Sequence, residues 1–189
     1  MIHSEALKAS ELNSVQVSKS GGMQETAKAS GVYTATLFDK DGNEKWSDTI
    51  ENLVTTVGGN FALDTVLAGS GYTAAVVMGL KAVGTAVIAD TQASHASWLE
   101  VGLANAPAYS GSRKTPAWSA ASAKSKATSA AVSFTFTSGG TVAGCFLNLG
   151  GSATQDLTTG TLYSAGDFSG GNKTVASTDV LNVTYTASI

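Results

Sequence analysis

Charge is scarce in this chain. Lys, Arg, Asp and Glu make up 13% of its 189 residues, 11 basic against 14 acidic, for a formal charge of -3. Globular proteins carry roughly twice that share, so neutral polar groups keep the surface soluble or neighbours cover much of it. Phosphate recognition requires clustered Lys and Arg, and the scarcity argues against nucleic acid as a partner. Arg113, Lys114, Lys124 and Lys126 come closest to a basic patch and read as solvated loop charges.

Cysteine, histidine and long apolar runs are also in short supply. Cys145 is the only cysteine, which rules out an intrachain disulfide and a cysteine-based zinc site. Set in Val142-Ala143-Gly144-Cys145-Phe146-Leu147, it reads as a small buried hydrophobe. The two histidines, His3 and His95, fall in different parts of the chain, so neither a metal nor a cofactor is expected. No Gly-x-x-x-x-Gly-Lys-Ser/Thr phosphate loop occurs. No apolar run approaches the about 18 residues of a membrane span, and residues 1–24 lack a basic stretch followed by an apolar core. The expected product is soluble, made in the cytoplasm and without a membrane partner.

What is present is a β pattern rich in Gly, Ala, Ser and Thr. The length suits one domain, or one domain with an arm. Residues 1–30 lack sustained apolar periodicity and read as a flexible N-terminal arm that orders against a partner. Within it residues 4–12 allow a short helix with Ala6, Leu7 and Leu12 as contacts. From residue 31 to 189 the pattern is that of a single β-sandwich domain. Residues 32–38 and 44–50 flank Asp39-Lys40-Asp41-Gly42-Asn43, a hairpin turn. That turn imitates the opening of a calcium loop but lacks the later Gly and terminal Glu, so it reads as a plain turn.

Residues 52–57 read as a strand broken by Gly58-Gly59, after which Asn60 caps a short helix over 61–68 that Gly69 ends. Residues 73–80 form a continuous apolar run, the mark of a strand buried on both faces. Further strands are predicted over 131–137, 141–149, 159–164 and 179–186, with polar loops at 119–129, 138–140, 150–152 and 169–172. The fold class is therefore mainly β: an antiparallel sandwich of jelly-roll type with one short helix and an extended N-terminal arm.

The chemistry concentrates in one stretch. His95 lies between Asp90 and Glu100, which allows a hydrolase to be imagined, but no Gly-x-Ser-x-Gly elbow accompanies it. The better reading is that Asp90 and His95 lock a loop by hydrogen bonds to the backbone, and that the protein is not an enzyme. Trp98, Tyr109 and Trp118 gather here although aromatics make up only 7% of the chain. Trp98 reads mainly as core; Tyr109, Arg113 and Trp118 suit either a core plug or the anchors of a protein interface. Pro107 and Pro116, the only prolines, stiffen the region.

These residues also carry a resemblance. Gly59-Asn60-Phe61-Ala62-Leu63-Asp64, Val77-Met78-Gly79-Leu80, Asp90-Thr91, Ser94-His95, Trp98-Leu99-Glu100, Tyr109, Arg113 and Trp118 stand in a recognisable order. With residues 142–147, 160–168 and 179–186 they make the chain similar to a family of tailed-bacteriophage structural proteins that includes head decoration, or cement, proteins. The likeness covers roughly residues 50–189, and the apolar stretch 82–87 departs from its pattern. It implies a virion protein on the outer capsid surface that stabilises the head, with the major capsid protein and its own copies as partners. By analogy with cement knobs a homotrimer is expected before a dimer. A tail or baseplate adsorption module is the alternative, and a hydrolase using His95 the remote one. The expected contact residues are Tyr109, Arg113, Trp118, Leu7 and Leu12.

Overall fold

A computed structural model describes residues 29–67 and 75–189. Leu7, Leu12 and nearly all of the predicted arm lie outside the described residues, as do Gly69 and the first positions of the 73–80 strand. In chain order the first elements are β1 (Ser30–Phe38), β2 (Glu44–Glu51), β3 (Leu53–Val54), α1 (Thr56–Leu67) and β4 (Val76–Lys81). Then come β5 (Glu100–Val101), β6 (Ser125–Ala127), β7 (Val132–Thr135), β8 (Gly140–Val142) and β9 (Gly144–Leu149). β10 (Thr161–Asp167), β11 (Lys173–Val175) and β12 (Val180–Ser188) complete the chain.

The protein is mainly β, with several antiparallel sheets and one short helix. The first sheet runs β2-β1-β12, with β6 and β7 both pairing β12; the second runs β3-β10-β9-β4-β5. β8 and β11 make a separate two-stranded ladder. Alternation along β1 turns Tyr33, Ala35 and Leu37 inward and Val32 and Thr34 outward. Its register on β12 sets Tyr33 opposite Tyr185 and Leu37 opposite Leu181, so both strands present one apolar face.

The main core lies between the sheets: Leu37, Phe134, Leu181 and Val183 from the first meet Met78, Leu80, Cys145 and Leu147 from the second. Tyr33 Oη and Ser164 Oγ share a hydrogen bond of 2.8 Å across it. β4 and β9 are buried almost throughout because the second sheet is covered on its other side as well. There Phe146, Leu162, Ala165 and Trp98 form a second, smaller core. Gly79 is where the Phe146 ring rests, and a Cβ at that position would overlap it.

The hairpin turn matches its reading. Asp39 Oδ1 accepts the backbone N–H groups of Asp41 and Asn43, both at 2.9 Å, and Gly42 takes φ 84°. Hydrogen bonds from Asn43, first its side chain and then its backbone, hold the Asp39 carboxyl below its ordinary range.

Three expectations need correction. The helix starts earlier than Asn60: α1 takes in Gly58 and Gly59, and the predicted strand over 52–57 shrinks to β3. Thr55 is the cap, its Oγ1 accepting the Gly58 N–H at 3.1 Å. Gly58 is needed for contact rather than for a break, since a Cβ there would strike the main chain of Tyr163. The predicted strand over 141–149 divides at Ala143, so that β8 pairs with β11 while β9 enters the second sheet. Within the polar stretch 119–129, β6 adds three residues to the end of β12.

Candidate functional site

The site grows out of the irregular chain laid over the second sheet. Residues 82–99 leave β4 and return at β5 outside any regular ladder, so local turn bonds and side chains hold them together. Trp98 is the centre. Its ring packs 5.6 Å from Phe146 and its Nε1 donates to Asp90 Oδ2 at 2.8 Å. The same Asp90 oxygen accepts the Val87 N–H at 2.9 Å. His95 stacks on Trp98 with ring centroids 3.9 Å apart, and its Nδ1 bonds the Trp98 carbonyl at 2.9 Å. Asp90 and His95 therefore do lock the loop through the backbone. Asp90 and His95 both engage Trp98 and Glu100 engages Arg113, with no hydrogen bond joining the three as a triad.

Beneath the loop two charged groups are buried. Lys81, at the end of β4, reaches Asp167 and the carbonyl of Gly84, pinning the start of the loop to β10. Arg113 makes a two-pronged pair with Glu100, Nε to Oε1 at 2.9 Å and Nη2 to Oε2 at 2.6 Å. Its remaining donors go to the carbonyls of Ser152 and Leu157, both at 2.9 Å. Glu100 Oε2 also accepts the Asp156 N–H at 2.9 Å. One ion pair thus ties β5, the 110–114 loop and the 150–158 loop together.

These contacts shape a cleft of about 380 Å³. Gln92, His95 and Trp98 line one side, Asp156, Leu157 and Thr158 another, with Glu100 and Asn105 also lining it. Leu99 and Leu157, both largely exposed, belong to its lining as well. Gln92 is only 2% exposed, and its Oε1 has no hydrogen-bond partner among the described residues.

Large exposed apolar side chains are unevenly shared out. Among the described residues, apart from Val32 and Ile189, all of them sit on α1, on the loops flanking β4 and β5, or at Leu157. Val66 and Leu67 of α1 are 78% and 79% exposed. Val83, Val87 and Ile88 stand on the loop that meets the start of α1, where Thr56 N donates to Ile88 O at 3.0 Å. Leu99 and Leu103 continue the set beside the cleft.

The predicted contact residues separate. Tyr109 and Arg113 are corrected from surface anchors to interior groups. The Tyr109 ring meets Phe134 edge-on at 5.1 Å, and burial pushes its hydroxyl well above the ordinary range. Arg113 is 2% exposed because its charge is satisfied inside by Glu100. Trp118 is half-buried and lines an apolar groove of about 340 Å³ between the sheets with Val76, Leu149, Tyr185 and Ala187. Cys145 is buried, which raises its thiol far above the usual range and makes it a packing residue.

Sequence reasoning missed Gln92, Leu99 and Asp156. For Leu99 a signal was present: between the inward-facing Trp98 and Glu100, alternation turns it outward. Gln92 and Asp156 carry no such signal, because only the fold brings their loops together. Among the described residues no helix is long and apolar enough to cross a membrane, and no group of three His, Cys, Asp or Glu side chains is placed to hold a metal. Comparison with known protein families, curated proteins and solved structures finds no match to this chain.

Proposed function

We propose that the chain is a structural protein of a tailed-bacteriophage virion, a head decoration or cement protein that binds the outer capsid surface and bridges capsid subunits. The observation that carries this reading is the concentration of exposed apolar side chains on α1 and the loop layer, opposite a polar first sheet. Large apolar patches on a soluble domain mark surfaces that a partner covers. A chain with 13% charged residues has few charges to desolvate when that happens. The ordered motif from Asp90 to Trp118 supports the reading independently, and four of its residues, Asp90, Trp98, Glu100 and Arg113, help to hold the loop layer in place.

In this reading the partners are the major capsid protein and further copies of the chain, a homotrimer before a dimer. Purified protein added to undecorated expanded heads should co-sediment with them and raise their resistance to heat. Failure to bind such heads removes the proposal. A tail or baseplate adsorption module is the second reading, and the polar cleft beside the apolar patch favours it. Copy number separates the two: hundreds per particle place the protein on the head, a few on the tail.

A further inference from the structure

We infer that the cleft between the 92–99 and 155–158 loops is a socket for one basic side chain, a lysine or arginine presented by the surface on which the loop layer docks. Its chemistry is that of an acceptor set. Gln92 is buried beside the cleft with an Oε1 that nothing in the described chain satisfies, and an unmet buried acceptor favours a donor from outside. Asn105 uses one Nδ2 hydrogen on the Glu100 carbonyl at 2.9 Å and keeps its Oδ1 as a further acceptor.

The charge balance points the same way. Glu100 is neutralised by Arg113, whose guanidinium is buried and fully engaged. Asp156 is exposed, takes only the Ala104 N–H at 2.9 Å on Oδ2, and has no cation beside it among the described residues. The cleft is therefore lined by one uncompensated carboxylate and by Gln92, whose buried Oε1 is unmet, with the chain as a whole at -3. Leu99 and Leu157 add apolar surface for an aliphatic stem, the pairing of greasy stem and charged head that lysine and arginine carry.

The walls are also fixed in advance. His95 is clamped on Trp98, the 155–158 loop on Glu100 and Arg113, so little ordering is left for the moment of binding. A pocket of about 380 Å³ is ample for one such side chain. The source of the side chain rests on the assembly reading above; the preference of the cleft for it does not.

The test is an amide NMR titration of the full chain with N-acetyl-lysine methylamide, N-acetyl-arginine methylamide, the neutral N-acetyl-norleucine methylamide, and glucose. The basic probes should move resonances of residues 92–105 and 155–158 with millimolar affinity, while norleucine and glucose leave them in place. Asp156→Asn, which keeps an αL-tolerant residue at φ 61°, and Gln92→Met should each weaken the basic probes by roughly three- to tenfold. Equal response to norleucine, response to glucose alone, no response to either basic probe at tens of millimolar, or variants that bind as well as the parent each overturn the socket. Probe binding without head binding overturns the assembly reading alone; head binding without probe binding overturns the socket alone.

Discussion

The two outer faces of the sandwich are built on opposite rules. The solvent side of the first sheet is a regular ladder, with Thr34 opposite Thr184, Thr36 bonded to Ser47 at 3.0 Å and Ser133 to Asn182 at 2.6 Å. Alternation sends most apolar residues in and most polar ones out, Val32 being an exception, and the backbone is satisfied by its neighbours. Over the second sheet irregular chain replaces the ladder. Charged groups buried beneath it, Asp90 and Arg113 of the loops with Lys81 of β4 and Glu100 of β5, satisfy and anchor it, while leucines and valines stay outside. The lesson is that a loop layer cannot sort its side chains as a strand does, and the apolar residues it leaves exposed are available to a partner.

The largest loss is expected from Arg113→Met. It leaves the Glu100 carboxylate buried without its cation, and chemical denaturation should show a loss of about 3–5 kcal/mol. Adding Glu100→Gln should return part of that loss, because the buried charge goes with it. Next in size is Trp98→Phe, which keeps a ring against Phe146 but removes the donor to Asp90, for about 1–3 kcal/mol. No change of one side chain on the solvent side of the first sheet should match either.

Acid should act on the edge of the first sheet. Asp48 of β2 is half-buried, and its partial desolvation opposes ionisation, yet hydrogen bonds from Lys173, Ser169 and the Thr49 and Gly170 N–H groups hold its carboxyl down at about 2. Its folded value is depressed, so its contribution is complete above the ordinary carboxylate range of about 4 and is lost as pH falls through about 2. On the order of 1–2 kcal/mol should disappear over that window, and Asp48→Asn should flatten this part of the stability profile.

The smallest effect on stability is the one that sharpens the comparison most. Leu99→Asp and Leu103→Asp should change folding free energy by less than about 0.5 kcal/mol, since both side chains are exposed. They should nevertheless weaken binding to undecorated heads, whereas Thr34→Lys and Thr184→Lys on the opposite face should leave it unchanged. Equal loss from both pairs would show that the apolar face is not the docking face.

Much of this molecule was legible from local pattern. The first hairpin, the strand at 179–186 and the double burial of β4 follow from alternation, from Asp-Lys-Asp-Gly-Asn turn chemistry and from a run of Val and Met. Asp90 and His95 as loop locks were also readable, because they lie a few residues from the Trp98 they hold. The start of α1 was not. Gly58-Gly59 reads as a break, and only the close approach of Tyr163, from a strand far along the chain, explains glycine inside a helix.

Elements with a local cause can be read along the chain: period-two strands, a polar turn, a mainly β architecture with few charges. Tertiary structure alone decided the fate of Arg113 and Tyr109, which carry the residue types of surface anchors and lie inside. It alone set Gln92 beside Asp156 to make a cleft. The physical reason is range: alternation and turn preference act over a few residues, whereas burial of a charge depends on whether its partner, here Glu100, arrives from another element to meet it.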